Sequence, residues 1–171
     1  MKKKVFSKKD DVILKRAQSD LSEEDHIILG KGLPERLQSL LSADTIIEFL
    51  PANGTVPSYA GAVVVEADEI SSSGDLAILG CDSLASLKDA QLLVLTHHNR
   101  TNGDSKLVKS CEGPVTCSRC AVKIISELGV IKIDSSGFVL TEVTPDIATD
   151  EVKARTAASL HISDSIKVML R

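Results

Sequence analysis

The 171-residue sequence is poor in aromatic residues, with three Phe, one Tyr and no Trp, so its core has to be built from aliphatic side chains. No apolar run approaches the roughly 20 residues of a membrane-spanning helix, and no membrane association is expected. The formal net charge of −4 argues against a general nucleic-acid binder, because such proteins are usually basic. The length suffices for one domain with a hydrophobic core, here expected to span residues 1–171.

The N-terminus has a basic start but lacks the apolar segment of a secretory signal. Met1–Lys4 runs directly into further polar and charged residues. This pattern predicts a cytoplasmic protein. In that reducing compartment Cys81, Cys111, Cys117 and Cys120 are expected to be free thiols.

Apolar periodicity predicts an α/β protein. Helical spacing over residues 8–20 follows Ser7, a plausible N-cap, and further helices are predicted after Pro34 and over 82–89, 118–128 and 150–157. Short apolar runs predict strands at 26–29, 45–49, 61–65, 75–79, 91–96, 130–133 and 138–143, and near 160–162. Alternating helices and buried strands predict an open, mostly parallel sheet with helices on both faces. The turn signal at 134–137 predicts a C-terminal β-hairpin.

Between residues 82 and 162 a series of short segments follows a particular order. A buried strand ends in a His pair at 94–98, and a Lys-rich segment ends in Cys at 106–111. A Pro-x-Thr element leads to another Cys at 114–120. A strand, a turn and the segment 137–143 come next, and a Val-Lys-x-x-Thr helix at 152–156 follows. In order and spacing these segments resemble the β subunit of the 3-oxoacid (succinyl/acetoacetate) CoA-transferases.

The N-terminal part is similar to the same family at one further place. Gly30, Gly32 and Pro34 reproduce its Gly-x-Gly-x-Pro element at the start of a helix. The resemblance implies the CoA-transferase fold and a reaction that moves CoA between a 3-oxoacid and a small carboxylic acid through a glutamyl-CoA thioester. It also implies a CoA thioester as substrate, no separate cofactor, and a partner that is a CoA-transferase α-like subunit or a second copy of the chain.

The nucleophile of the family has no counterpart at the expected place. The family carries Ser-Glu-Asn-Gly at the end of the strand after the second helix, and its Glu attacks the acyl-CoA. Residues 51–54 here read Pro-Ala-Asn-Gly, so Ala52 stands where that Glu would be. The residues that the resemblance predicts to line any remaining CoA or substrate pocket are Gly30, Gly32, Asn53 and Gly54.

The chain is also shorter than the family pattern. A long stretch with glycine-rich segments follows the Asn-Gly pair in the family, whereas here 75–80 leads almost directly into 82–84. Both departures predict a β-subunit-like protein with impaired catalysis. In the alternative interpretation the protein is an active transferase in which Glu48, Glu66 or Glu69 replaces the missing nucleophile.

A third interpretation is a small zinc-binding interaction module. Cys117 and Cys120 form a Cys-x-x-Cys pair, and Cys111 supplies a third thiol. The competing interpretation is that these are buried, inert thiols. We interpret His97 and His98 as structural or rim histidines, with a catalytic role as the alternative.

Overall fold

A computed structural model describes residues 6–84, 87 and 89–169 of the chain. The basic segment at 1–4 and part of the helix predicted over 82–89 lie outside these residues. Within the described part the helices are α1 (Lys8–Leu21), α2 (Leu33–Arg36), which continues into a 3₁₀ turn at Leu37–Ser39, and α3 (Thr149–Ala154). The strands are β1 (His26–Leu29), β2 (Ile46–Phe49), β3 (Ala62–Ser71), β4 (Leu76–Ile78), β5 (Gln91–Leu95), β6 (Leu107–Val108), β7 (Lys123–Ile125), β8 (Gly129–Asp134), β9 (Gly137–Val143) and β10 (Leu160–Val168).

The described strands form one mixed sheet in the order β10-β9-β8-β7-β5-β3-β1-β2, with β4 and β6 paired to β3. Strands β2, β1, β3, β5 and β7 are parallel neighbours, so their carboxyl ends share one edge. Along the sheet, the chain continues from β1 to its neighbour β2 on one side and from β3 towards its neighbour β5 on the other side. The gap between β1 and β3 is therefore the topological switch point of the sheet. Strands β8 and β9 pair antiparallel, which confirms the C-terminal hairpin. The predicted α/β class with a mostly parallel sheet is therefore confirmed.

Helix α1 covers one face of the sheet. Ser7 caps it, because its Oγ accepts a hydrogen bond from the Asp10 backbone N at 3.2 Å. Its buried side chains are spaced at helical intervals and pack on β1, β3, β5 and β7; they are Ile13, Leu14, Ala17 and Leu21. The helix predicted over 8–20 is confirmed, and its apolar stripe explains its orientation. No helix in the described part is long and apolar enough to cross a membrane.

The opposite face is covered mainly by short strands and loops. Leu76 of β4, Leu107 of β6 and Val152 of α3 belong to the hydrophobic cluster on that side. Helices therefore lie on both faces, with α1 and α2 on one side and α3 on the other. The helix predicted over 118–128 is wrong, because Ile124 and Ile125 lie in β7 and are fully buried on opposite faces of the sheet. A strand buried on both faces has a continuous apolar run, which periodicity alone does not distinguish from a helix.

A largely buried ion cluster joins α1 to the antiparallel half of the sheet. Arg16 donates to both carboxylate oxygens of Glu142, through Nε and Nη2 at 2.8 Å each. Its Nη1 donates to Asp20 Oδ1 at 2.7 Å, and Asp20 Oδ2 pairs with Lys123. The hydrogen bond from Arg16 lowers the pKa of Glu142 below its usual value. One guanidinium thus connects α1 to β9, and Asp20 extends the connection to β7.

Removing the central cation of this cluster should destabilise the fold. Arg16→Ala leaves Glu142 without its partner in a poorly hydrated site, so we expect the free energy of unfolding to fall by about 2–4 kcal/mol. Lys15→Ala is the matched control, because Lys15 pairs with Asp11 on the exposed face of the same helix. That pair should contribute less than about 1 kcal/mol. Urea denaturation measures both, and equal losses in the two variants would contradict the assigned role of Arg16.

Candidate functional site

The carboxyl ends of β1, β3 and β5 border a pocket of about 560 Å³. Its volume lies within the roughly 300–1,000 Å³ common for small-molecule sites. The described residues that line it are Asp10, Gly32, Leu33, Glu35, Arg36, Gln38, Phe49, Glu66 and His97. Because it lies by the switch point between β1 and β3, it is where an open α/β sheet usually binds its ligand.

The Gly-x-Gly turn after β1 fits closely against β3. Gly30 donates its backbone N–H to Val64 O at 2.8 Å, and a Cβ at this position would lie 3.1 Å from that oxygen. Gly32 has a φ of 87°, and a Cβ there would lie 2.0 Å from Glu66 Oε2. Both backbone conformation and space therefore require glycine at position 32. Of the two glycines of this turn that were predicted to line a pocket, Gly32 does so, and Gly30 is buried against the neighbouring strand.

Two carboxylates accept hydrogen bonds from the backbone N–H groups of this turn. Gly32 N donates to Glu35 Oε2 at 2.9 Å, and Leu33 N donates to Glu66 Oε2 at 2.7 Å. A turn of this kind before a helix offers N–H groups that bind anions in many α/β proteins. Here side chains of the protein itself already fill that role.

A buried carboxylate joins three elements at the side of the pocket. Asp10 of α1, whose side chain is 8% exposed, accepts a hydrogen bond from His97 Nε2 at Oδ1 over 2.6 Å and pairs with Arg36 at Oδ2. Burial alone raises the pKa of Asp10, but the hydrogen bond from His97 and the charge of Arg36 outweigh burial and leave the pKa below its usual value. Sequence analysis missed this cluster, because 87 residues separate Asp10 from His97 and no motif links them.

The turn that carries Ala52 keeps a well-defined shape. Ala52 O accepts a hydrogen bond from Asp82 N at 2.8 Å, and Gly54 adopts a φ of 69°. A Cβ on Gly54 would lie 1.6 Å from Ser83 O, so the turn packs directly against the 82–84 segment. Ala52 and Asn53 are exposed. None of Ala52, Asn53 and Gly54 is among the described residues that line the 560 Å³ pocket.

The three acids considered as replacement nucleophiles lie in different surroundings. Glu66 lines the pocket beside the Gly-x-Gly turn. Glu48 is hydrogen-bonded to His26 at 2.6 Å, and Glu69 accepts backbone hydrogen bonds from residues 112–113. Only Glu66, of these three, faces the pocket.

The two adjacent histidines point to different environments. His97 borders the pocket, whereas His98 is fully buried. The Nε2 of His98 lies 2.8 Å from Thr156 Oγ1, and its backbone N donates to Glu127 Oε2 at 2.8 Å. Burial, helped by the charge of Arg155, lowers the pKa of His98 to about 4. A neutral, enclosed imidazole with protein partners is a structural group, as expected for His98, while His97 is available to a ligand.

The expectation of four reduced thiols is wrong for Cys117 and Cys120, which a disulfide joins across a Cα–Cα distance of 6.0 Å. That separation lies within the usual range for a disulfide, whereas the expectation rested on the compartment alone. Cys81 and Cys111 are free, and burial raises the pKa of both thiols. The described residues contain no group of three or more Cys, His, Asp or Glu side chains that could hold a metal ion. The zinc interpretation therefore has no ligand set in this part of the chain.

Comparison with solved structures defines the class of the fold. The acyl-CoA transferase of E. coli O157:H7, in a thioester complex with CoA, matches with a TM-score of 0.73 and 11% identity over 99% of this chain and 44% of its own. The decarboxylase AibA/AibB matches with a TM-score of 0.67 and 14% identity over 94% of this chain and 88% of its own. No protein-family model matches the sequence. The chain therefore has the CoA-transferase fold.

Sequence relatives narrow this class. The probable coenzyme A transferase subunit beta of Bacillus subtilis is 25% identical over an alignment of 203 positions, gaps included, which covers 88% of this chain and 93% of the relative. The mouse mitochondrial succinyl-CoA:3-ketoacid coenzyme A transferase 2B is 33% identical over 91 residues, and the matched part spans only 18% of that enzyme. The chain is therefore similar in sequence to CoA-transferase β subunits.

The enclosure of His98 should make stability depend on pH. The unfolded chain binds a proton at this residue near pH 6.5, whereas the folded protein does so only near pH 4. The contribution of neutral His98 to the free energy of unfolding is therefore fully present above pH 6.5. It is lost as the pH falls towards 4, and the total loss is roughly 3 kcal/mol. Urea denaturation between pH 4 and 7 measures it. His98→Gln should flatten this dependence and exposed His161→Gln should not; the same slope in all three proteins would refute the assignment.

Proposed function

We propose that this chain is a CoA-transferase β-subunit-like protein that has lost the glutamyl-CoA route and acts through binding, with an α-like subunit as its partner. The observation that carries this proposal is the turn at 51–54, which keeps a defined backbone but presents the methyl group of Ala52. A carboxylate is needed there because the family reaction passes through an acyl derivative of that side chain. A methyl group cannot form one.

The contacts at Gly32 favour the same conclusion. The backbone N–H groups of Gly32 and Leu33 already donate to Glu35 and Glu66, so they are not available to a substrate oxygen. Stabilisation of a developing negative charge needs donors that are free and correctly aimed before the reaction starts. The Gly-x-Gly turn, whose N–H groups already donate to internal carboxylates, is therefore poorly suited to that task.

The shortness of the chain supports the proposal independently. The alignment with the Bacillus relative extends over 203 residues, more than the 171 of this chain, so the relative carries residues that have no counterpart here. Such a segment could supply part of an acyl or CoA pocket. Its loss together with the nucleophile is more consistent with a changed role than with one altered residue.

The proposal of an α-like partner comes from the relatives. The Bacillus relative and the acetate CoA-transferase relative of Haemophilus influenzae are both named as a beta subunit, and the E. coli acyl-CoA transferase is more than twice as long as the part that this chain matches. A separate chain would then provide the other half. Self-association is the alternative, which the mass of the purified complex would distinguish.

A second candidate function is an active transferase that uses Glu66. This carboxylate lines the pocket and contacts the Gly-x-Gly turn. In that case CoA would move between a 3-oxoacid and a small carboxylic acid through a thioester on Glu66. A mass increase on the peptide that contains Glu66, absent in Glu66→Gln, would favour this candidate over the binding role.

Restoring the carboxylate at position 52 tests the main proposal. The protein is purified from its own cells with any co-eluting partner, and CoA transfer from succinyl-CoA and acetyl-CoA to acetoacetate is measured. We expect a heteromer without transfer for the natural protein, and a CoA thioester detectable by mass on the Ala52→Glu variant. Asn53→Glu is the matched control, because it places the same group one residue away on the same exposed turn.

Transfer by the natural protein would overturn the proposal and direct the search for the thioester to Glu66. A stable heteromer in which neither the natural protein nor Ala52→Glu forms a thioester would support the binding role. It would also mean that the loss of catalytic groups extends beyond position 52. A purified chain without a partner would refute the α-like subunit.

A further inference from the structure

The Asp10–His97 pair lines a pocket whose described lining does not include Ala52. It borders the pocket at the carboxyl edge of the sheet, where the buried Asp10 carboxylate contacts the imidazole over 2.6 Å. Asp10 lies on α1 and His97 follows β5, so two rigid elements hold the pair. A carboxylate that orients a histidine next to a cavity is a recurrent arrangement for moving protons.

We propose that Asp10 and His97 form a general-base pair with which this pocket hydrolyses small acyl thioesters. The thioester class rests on the proposed function, whereas the activity goes beyond it. The reaction is a transfer to water, needs no acceptor acid, and does not involve position 52.

The geometry assigns each ring nitrogen a task. Nε2–H donates to Asp10 Oδ1, which fixes the tautomer and leaves the lone pair of Nδ1 for a ligand or a water molecule. Arg36 pairs with the other oxygen of Asp10 and keeps that carboxylate charged. The His97 side chain is 36% exposed, so water and a small ligand reach it.

The proposed reaction balances without any further reagent. Nδ1 of His97 takes a proton from a water molecule while the water oxygen bonds to the thioester carbonyl carbon. The tetrahedral intermediate collapses, the carbon–sulfur bond breaks, and the leaving thiolate takes the proton from the imidazolium. The products are a carboxylic acid and a free thiol. The Arg36 guanidinium, which also lines the pocket, supplies positive charge near the developing oxyanion.

Thiol release in the absence of an acceptor acid tests this activity. The full chain with any co-eluting partner is incubated with acetyl-CoA or acetoacetyl-CoA, and free thiol is measured with a chromogenic disulfide. We expect release above the buffer rate, and a decrease of at least about 100-fold in His97→Asn, since a general base contributes roughly 10²–10⁴-fold. His161→Asn is the control, because His161 is an exposed histidine of β10, and its rate should be unchanged.

Asp10 is a positioning residue and needs a different readout. Nitrogen-15 NMR of the His97 ring should show the Nε2–H tautomer in the natural protein and a mixture in Asp10→Asn. The same variant should lose most of the thiol release while the cooperative unfolding transition is retained. His97→Gln provides a second test if His97→Asn does not fold.

Absence of thiol release above buffer in the natural protein would overturn the proposal, as would equal release by the natural protein and a folded His97 variant. These outcomes are independent of the proposed function. Hydrolysis liberates a thiol without an acceptor, whereas transfer conserves the thioester and requires one. A protein that forms the heteromer but neither transfers nor hydrolyses would retain the binding role and lose the hydrolase.

Discussion

The docking of α1 on the sheet is the constraint on which the rest of the structure depends. Its apolar stripe covers one face of the central parallel strands, and Arg16 connects the same helix to Glu142 of β9. A helix held by both contacts has little freedom to rotate or slide. That rigidity brings Asp10, near its N-terminus, to the pocket edge, where it meets His97 and Arg36. The core and the candidate site are therefore determined by one element.

Local patterns predicted much of the fold. Runs of β-branched and aliphatic residues identified the buried strands, and the turn at 134–137 identified the hairpin. Prediction failed where an apolar run was short and ambiguous, as at Ile124 and Ile125, whose strand character comes from pairing with β5 and β8. The same limit applies to Cys117 and Cys120, whose disulfide depends on how the chain folds back.

The site was predictable only where a motif carried it. Gly32 was found through the Gly-x-Gly element, whereas Ala52, named through its place in a family pattern, does not line the pocket. Asp10 and His97 lie on elements far apart in the sequence, and the docking of α1 on the sheet brings them together. Glu66 was one of three acids named as a replacement nucleophile, and its contact with the turn depends on the register between β1 and β3. Tertiary pairing, rather than composition or spacing, decides such contacts.

The contact between Gly32 and Glu66 limits which substitutions these two positions tolerate. The Glu66 carboxylate fills the space that a side chain at position 32 would need, and it satisfies the N–H of Leu33. A substitution at either position therefore changes the demand on the other: a shorter residue at 66 leaves a donor unsatisfied, and any side chain at 32 displaces the acid. Position 32 should nevertheless stay glycine when Glu66 changes, because its φ of 87° disfavours any side chain even without the clash.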